Sequence, residues 1–410
     1  MKAFDTFDAS LRRNLLILFA AGLLFWSSLA SLLPTLPLYI ESLGATKQQI
    51  GIVMGSFAIG MLLFRPQVGM LADRRGRKIV LLIGMTVAAI APLGYLVVKS
   101  LIALMIIRAF HGISIVAFAT AYLTLVGDLA PEHRRGEIIG YMSLVNPIGV
   151  ALGPAIGGYL QATVGYTALF LSSATLASLG LICILPIVNP PVIEQPKNST
   201  DDGFWQLLIS PRVRVPAIVL LLIGLALGTV HTFIALYIKS TGIDLNAGLF
   251  FTAAAISSFG IRLVAGRASD KYGRGLFVTF SLVAYSVALV FIWQANSALI
   301  FVIGAVLEGA ASGTAIPMIC TMMTDRALPH ERGRIFGVSL MGFDVGLAIA
   351  GPFVGFVAQQ IGYRSTFGFT TGLTVLAILI FVTQSSQNIS KSLRFAFGLG
   401  EDAYALKSKI

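Results

Sequence analysis

The chain has 410 residues, 56% of them hydrophobic and only 11% charged, with a mean hydropathy of +0.87 and a formal net charge of +11. A water-soluble protein of that length has no interior large enough for so much apolar surface, so ordinary soluble enzymes and binding domains are excluded and lipid becomes the solvent for much of the chain. The positive charge does not point to nucleic acid, because the basic residues stand in short clusters between apolar runs and not on one face.

The first residues, MKAFDTFDASLRRN, lead into a run of mostly apolar residues. That run is too long for a signal-peptide core, and no small-residue cleavage site ends it, so it reads as an uncleaved first membrane helix. A helix needs about 20 apolar residues to cross the hydrocarbon core. On that rule the predicted spans are 14–40, 48–72, 78–97, 100–128, 136–161 and 165–187, then 213–239, 246–268, 276–293, 297–325, 333–359 and 364–384. The polar, Pro-rich stretch NPPVIEQPKNSTDDGFWQ between the sixth and seventh spans reads as a linker. The expected fold is an all-α membrane protein with 12 transmembrane helices in two pseudo-symmetric six-helix bundles. Residues 1–187 form the first bundle, 188–212 a cytoplasmic linker, 213–390 the second bundle and 391–410 a cytoplasmic tail.

Orientation follows from the basic residues, which concentrate in cytoplasmic loops. With both termini in the cytoplasm, only Lys47, Lys99, Lys239 and Arg364 face the other side, while Arg65, Arg108 and Arg262 fall inside spans. The cytoplasmic segments then hold the other 22 of the 29 lysines and arginines.

Between spans two and three stands GMLADRRGRK, and a near-copy, GRASDKYGRG, follows 197 residues later. The same offset relates Arg65 to Arg262, DLAPEHRRG to DRALPHERG, Gly140 and Gly149 to Gly337 and Gly346, and Gly165-Tyr166 to Gly362-Tyr363. The two halves therefore read as parallel copies of one six-helix unit, the arrangement expected of a rocking transporter with its substrate site near the midplane between the repeats.

With those residues in view, the sequence resembles the major facilitator superfamily, and in particular its 12-helix proton-coupled drug exporters. Residues 69–81, GMLADRRGRKIVL, match every fixed position of the family's loop motif, G-x-L-a-D-r-x-G-r-k-x-x-l. The second copy departs at Arg267 and Ser269 but keeps Gly266, Asp270, Gly273 and Arg274. In physical terms Gly76 lets a very short turn reverse, and Gly69 is expected to let a neighbouring helix come close. Asp73, at a helix end, is expected to pair with an arginine or accept from another helix's N-terminal N–H groups. The resemblance makes Gly69, Asp73, Arg74, Gly76, Arg77, Asp270, Gly273 and Arg274 a conformational gating motif. For Arg74, Arg75 and Lys78 the competing reading is a plain topology anchor.

Span five carries NPIGVALGPAIGGYL, in which Gly149, Gly153, Pro154, Gly157 and Gly158 match G-x-x-x-G-P-x-x-G-G. Small residues at this spacing make a smooth stripe for a second helix, and Pro154 permits a bend. The pattern is similar to the glycine motif of proton-coupled exporters, and Pro34 and Pro37 of LPTLPLYI resemble their Pro-rich first span. Generic helix packing is the competing reading, since GLAIAGPFVG in span eleven is a weaker copy.

Charges are costly in hydrocarbon, so each buried one is a functional candidate. Glu308 in span ten and Asp344 in span eleven are the two acids well inside spans, and they are the expected proton-coupling groups. Asp344 also matches the span-eleven aspartate of related amine exporters. Arg108 and Gly112 in RAFHG resemble the family's span-four motif R-x-x-q-G, with His111 in place of the usual Gln. By the repeat His111 corresponds to Glu308. A permanent ion pair, for example with Arg108 or Arg262, is the competing reading for both acids. Trp26, Tyr122, His231, Phe233 and Met318 are expected to line a substrate cavity, or else to belong to the core or face lipid.

The chain shows no catalytic triad and no phosphate-binding loop, so no enzyme is expected. Cys183, Cys320 and the four scattered histidines have no metal-ligand spacing, so neither metal nor cofactor is expected. The resemblance implies proton-coupled efflux of small organic compounds, cationic or neutral and amphiphilic, by alternating access. An exporter of a specific metabolite such as a sugar, siderophore or lipid is the alternative. The expected partners are a small-molecule substrate, protons and membrane lipids, with no nucleic acid. A monomer in the bacterial inner membrane is expected.

Overall fold

The computed structural model describes residues 9–131, 134–187, 204–327 and 332–406, and the regular structure there is helical. Within a bilayer each backbone N–H and C=O must be satisfied inside its own segment, which is what these helices do. Eleven apolar helical runs among the described residues are long enough to cross a membrane: Ser10–Ser42, Lys47–Arg75, Arg77–Val97, Leu101–Leu129, Arg135–Thr163, Tyr166–Ile184, Pro211–Thr241, Ala247–Gly266, Arg274–Trp293, Ala298–Asp325 and Ile335–Gln384. The last has 50 residues, which at 1.5 Å per residue is roughly twice the thickness of the hydrocarbon core. Gly362, at φ 79°, breaks it and separates spans eleven and twelve. Twelve spans result, as the hydropathy pattern predicts.

Proline decides where spans are interrupted. Span one runs as Ala9–Ser31 and Leu36–Ser42. Pro34 has no N–H for the Ala30 carbonyl, and Leu33 N takes that carbonyl instead at 3.1 Å. Span five breaks at Ser143–Leu144, between Arg135–Met142 and Val145–Thr163. The cause there is Pro147, which cannot donate to the Ser143 carbonyl. Pro154 sits inside the second piece without interrupting it. In span eleven, Pro352 lies in a single wide turn, Ala350–Val354.

Two compact units form. The first takes in Met1–Ala45, Ile52–Lys197 and Asn246–Thr252; the second takes in Thr46–Gly51, Asn198–Leu245 and Ala253–Ile410. The first unit is centred on a ladder of rings from spans one and four, with Phe25 stacked on Phe118 at 3.9 Å and Phe118 on Tyr122 at 4.8 Å. The second has an aliphatic core that includes Val219, Ile223, Met318, Met322 and Phe381. Large apolar side chains such as Val97, Ile102, Phe280 and Leu299 point outward, as helices solvated by lipid require.

Most of the linker, 188–203, lies outside the described residues, but Phe204–Ile209 and a helix from Pro211 already occupy its last part. A helix spans Ile389–Ala396, and the chain after it stays packed against the second unit through Leu406, whose N–H donates to the Asp325 carbonyl at 2.9 Å.

Candidate functional site

Spans nine and ten pack side by side and bury two oxygen-bearing side chains together. The Tyr285 hydroxyl, fully buried, donates to Oε1 of Glu308 at 3.2 Å, and Glu308 is itself 4% exposed. Ser312, four residues on and so on the same helix face, gives its hydroxyl to the Gly309 carbonyl at 3.3 Å. No basic side chain pairs with Glu308 among the described residues, so the permanent ion pair is not its state here. Asp344 on span eleven is also buried. Tyr285 was missed in the sequence. Its signal was a phenol in the middle of an apolar span, where a hydroxyl requires a partner.

The first unit holds a different cluster at the equivalent place. Arg108 is 6% exposed and lies over the Phe57 ring, its guanidinium carbon 4.3 Å from the centroid. One turn on, fully buried His111 shares a hydrogen bond with the Tyr95 hydroxyl through Nδ1 at 3.2 Å. Arg108 Nε and His111 Nε2 have no hydrogen-bond partner among the described residues. Gly112 sits where its neighbour's backbone leaves no room for a side chain, against the Phe57 carbonyl. Arg262, in the second unit, gives its Nε to the Gly313 carbonyl at 3.2 Å.

The expected cavity residues divide. Trp26 and His231 are half-buried. Tyr122, Phe233 and Met318 are corrected to core positions in this conformation. Tyr122 stacks on Phe118 and gives its hydroxyl to the Met142 carbonyl at 3.4 Å. Phe233 is fully buried, and Met318 belongs to the aliphatic core. A ring or thioether at helical spacing in an apolar span satisfies packing as readily as it lines a cavity, and here packing won.

At the two loop motifs the charged contacts are made by arginine. Gly76 and Gly273 adopt φ 91° and φ 95° at the two short turns, a conformation that favours glycine. Directly after each turn, Arg77 pairs with Asp128 at 3.2 Å and Arg274 pairs with Asp325 at 3.4 Å. The expectations for Asp73 and Gly69 are corrected. Asp73 is exposed, as is Arg74, and Asp73 has no hydrogen bond or ion pair among the described residues. A Cβ at Gly69 would meet nothing within 4 Å, so no helix presses against it. The side chain of Asp270 lies outside the described residues.

The glycine stripe of span five packs as expected. Side chains added at Gly149, Gly153 and Gly157 would run into Trp26, Ser27 and Ser31 of span one. Gly158 instead faces Asn246, whose Nδ2 donates to its carbonyl at 3.0 Å. Pro154 completes the buried stripe. In the second unit Gly346 lies against the Leu221 carbonyl of span seven, so the repeat reproduces the packing.

The sequence profile of the Major Facilitator Superfamily matches residues 18–275 and 247–397 of this chain. The chain belongs to that superfamily. Among curated relatives, it is similar to a multi-drug resistance efflux pump, PmrA, of Streptococcus pneumoniae, with 26% identity over 386 residues, 90% of this chain and 94% of PmrA. It is also similar to the quinolone resistance protein NorA of Staphylococcus aureus, 29% identical over 234 residues. That match covers 55% of this chain, which spans about three fifths, 59%, of the NorA length. Among solved structures, the nucleoside transporter NupG superposes with a TM-score of 0.76 at 18% identity, covering 89% of this chain and 97% of that one. A bacterial homologue of the human lysosomal transporter Spinster does so with a TM-score of 0.71 at 16% identity, covering 95% and 97%. At such identities the two structures establish the fold alone.

Superfamily membership makes this a multi-pass membrane transport protein and not an enzyme. Within a superfamily fold the buried carboxyl of span ten and the buried imidazole of span four occupy equivalent repeat positions. Each is held by a tyrosine from the preceding span, Tyr285 and Tyr95.

Proposed function

We propose that this protein is a proton-coupled exporter of small cationic or neutral amphiphilic compounds, working by alternating access in the bacterial inner membrane with both termini in the cytoplasm. The observation that carries the reading is Glu308, a carboxyl buried in a membrane span, bonded by the neutral Tyr285 hydroxyl and with no basic partner among the described residues. A lone carboxylate in such a place is costly, so it is stable when protonated or when a cation is near. Those are the two states an antiporter exchanges. Asp344, also buried, is the second acid of the cycle, and Arg108 with His111 is the basic group that alternates partners with a carboxylate. The relatives PmrA, a multi-drug resistance efflux pump, and NorA, a quinolone resistance protein, support drug-like cargo.

The test is uptake into inverted vesicles acidified inside, with a lipophilic cationic dye and a quinolone as probes. Accumulation that collapses when the pH gradient is dissipated supports the reading. Failure to accumulate either probe, with correctly inserted protein, overturns it.

A further inference from the structure

The short helix Ile389–Ala396 follows the last span, and its three faces differ. Ser392, Phe395 and Ala396 are buried against the second unit. The Ser392 hydroxyl accepts from Ser386 N at 2.9 Å, and Thr279 donates to the Ala396 carbonyl at 2.9 Å. Asn388 caps the start by accepting from Lys391 N at 2.8 Å. On a second face Ile389, Leu393 and Phe397 stand at i, i+4 and i+8, exposed by 62%, 40% and 52%. At about 100° per residue Ile389 and Leu393 lie roughly 40° apart, and Phe397, the residue that caps the helix C-terminus, follows one turn after Leu393. Exposed Lys391 and Arg394 occupy the third face.

The helix cannot swing away freely. Arg326, 0% exposed, fastens the chain beyond it: Nε bonds Asp402 at 2.7 Å, and the other guanidinium nitrogens bond the carbonyls of Arg212 at 3.0 Å and Ser385 at 3.2 Å. The guanidinium also lies 5.1 Å from the Tyr404 ring. The apolar row is therefore held in place at the membrane end of the second unit, where the last span emerges.

We propose that this helix is a lipid-binding surface, seating Ile389, Leu393 and Phe397 among the acyl chains of the cytoplasmic leaflet while Lys391 and Arg394 meet anionic phospholipid headgroups. An aligned apolar row beside a basic face is the pattern of a helix lying in the membrane interface. A second copy of this chain fits less well, because a two-fold contact through the row would bring like charges together. Cytoplasmic sidedness follows the distribution of basic residues; the lipid contact itself does not depend on the transport reading.

The experiment uses the full-length protein in lipid nanodiscs, with Cys183 and Cys320 replaced by serine and a polarity-sensitive fluorophore on Leu393→Cys. Quenching by spin-labelled phospholipid is compared with quenching by aqueous iodide, in phosphatidylcholine alone and with added phosphatidylglycerol. The expected result is several-fold stronger quenching from the lipid side, increased by phosphatidylglycerol. Each basic residue near an anionic surface contributes about fivefold to partitioning, so Lys391→Gln with Arg394→Gln should remove the phosphatidylglycerol effect while leaving the protein folded. Iodide quenching of Leu393→Cys equal to that of a fluorophore on the neighbouring basic face, at Lys391→Cys, overturns the proposal. So does fluorophore self-quenching that rises with the number of copies per disc, which would place a second chain on the row.

Discussion

The two six-helix units share a scaffold and differ in the chemistry they bury. At equivalent positions of spans four and ten stand His111 and Glu308, each bonded by a tyrosine from the span before it, Tyr95 and Tyr285. The tyrosines are not repeat partners, so the phenol was supplied from different helix turns to meet the same requirement. One unit thus holds a basic site, with Arg108 one turn from His111. The other holds an acidic one. At the turn motifs the difference runs the other way: the ion pairs Arg77–Asp128 and Arg274–Asp325 are preserved, while their surroundings diverge. Duplication keeps the contacts that build the helical bundle and frees the buried polar positions to specialise.

The largest effect is expected from making the two buried sites alike. Glu308→Gln fixes a neutral group, so uphill efflux in vesicles should fall to the level of protein-free vesicles, while exchange of substrate down its own gradient survives. In the native protein, a cation and a proton compete for the same carboxyl, so raising the pH should tighten cation binding by at most about tenfold per unit for a single competing proton. That dependence should flatten in Glu308→Gln. His111→Gln should leave some coupling in place. Equal residual efflux in the two variants would remove the acid–base asymmetry between the two units.

A second large effect separates equivalent helix ends of the two units. Arg326 has no counterpart in the first unit, where the 197-residue offset places Leu129. Removing one partner of a buried ion pair leaves the other uncompensated, so Arg326→Ala should destabilise the second unit by about 3 kcal/mol. Asp402→Asn keeps the shape but leaves the fully buried Arg326 charge without its counter-charge, and should cost a comparable amount, about 3 kcal/mol. Thermal unfolding of the solubilised protein, read with an intrinsic cysteine probe, compares the two. An Arg326→Ala protein as stable as the native one would show that the chain after the last helix is not anchored there.

Hydropathy and the 197-residue offset made twelve spans, two repeats and the two turn glycines legible, because each depends on local rules of length and backbone freedom. The glycine stripe of span five was legible for the same reason, since Gly153 and Gly157 must meet a neighbour wherever the helix packs. What escaped depended on contacts distant in sequence. Nothing near Asp73 says that Arg77 will take Asp128, 51 residues on, and leave Asp73 exposed. Tyr122, Phe233 and Met318 could not be sorted into core or cavity, because an apolar span leaves its rotation undetermined until its neighbours are placed. The fold of the tail was hidden in a single residue, Arg326, whose burial requires a partner that the sequence places 76 residues later.

The smallest expected effect lies in the two turn pairs, and it tests how alike they are. Both are partly exposed, with side-chain exposures of 18% and 37% for Arg77 and Asp128 and of 22% and 44% for Arg274 and Asp325. Pairs in that setting contribute less than about 1 kcal/mol. They are not equivalent in detail. Arg77 Nη1 donates to the Ala72 carbonyl at 3.2 Å, whereas Arg274 Nη1 donates to the Ser269 hydroxyl at 2.7 Å, and Ser269 is the repeat partner of Ala72. Ser269→Ala should therefore cost about 1 kcal/mol and make the second turn behave like the first. Ala72→Ser should bring no matching gain, because the Ala72 position already satisfies its arginine through the backbone. High salt should weaken both pairs and leave the Ser269 contribution standing, so unfolding measured in low and high salt separates the two terms. If Ser269→Ala changes stability only at low salt, the hydroxyl acts through the Arg274–Asp325 pair and not as a separate anchor for the turn.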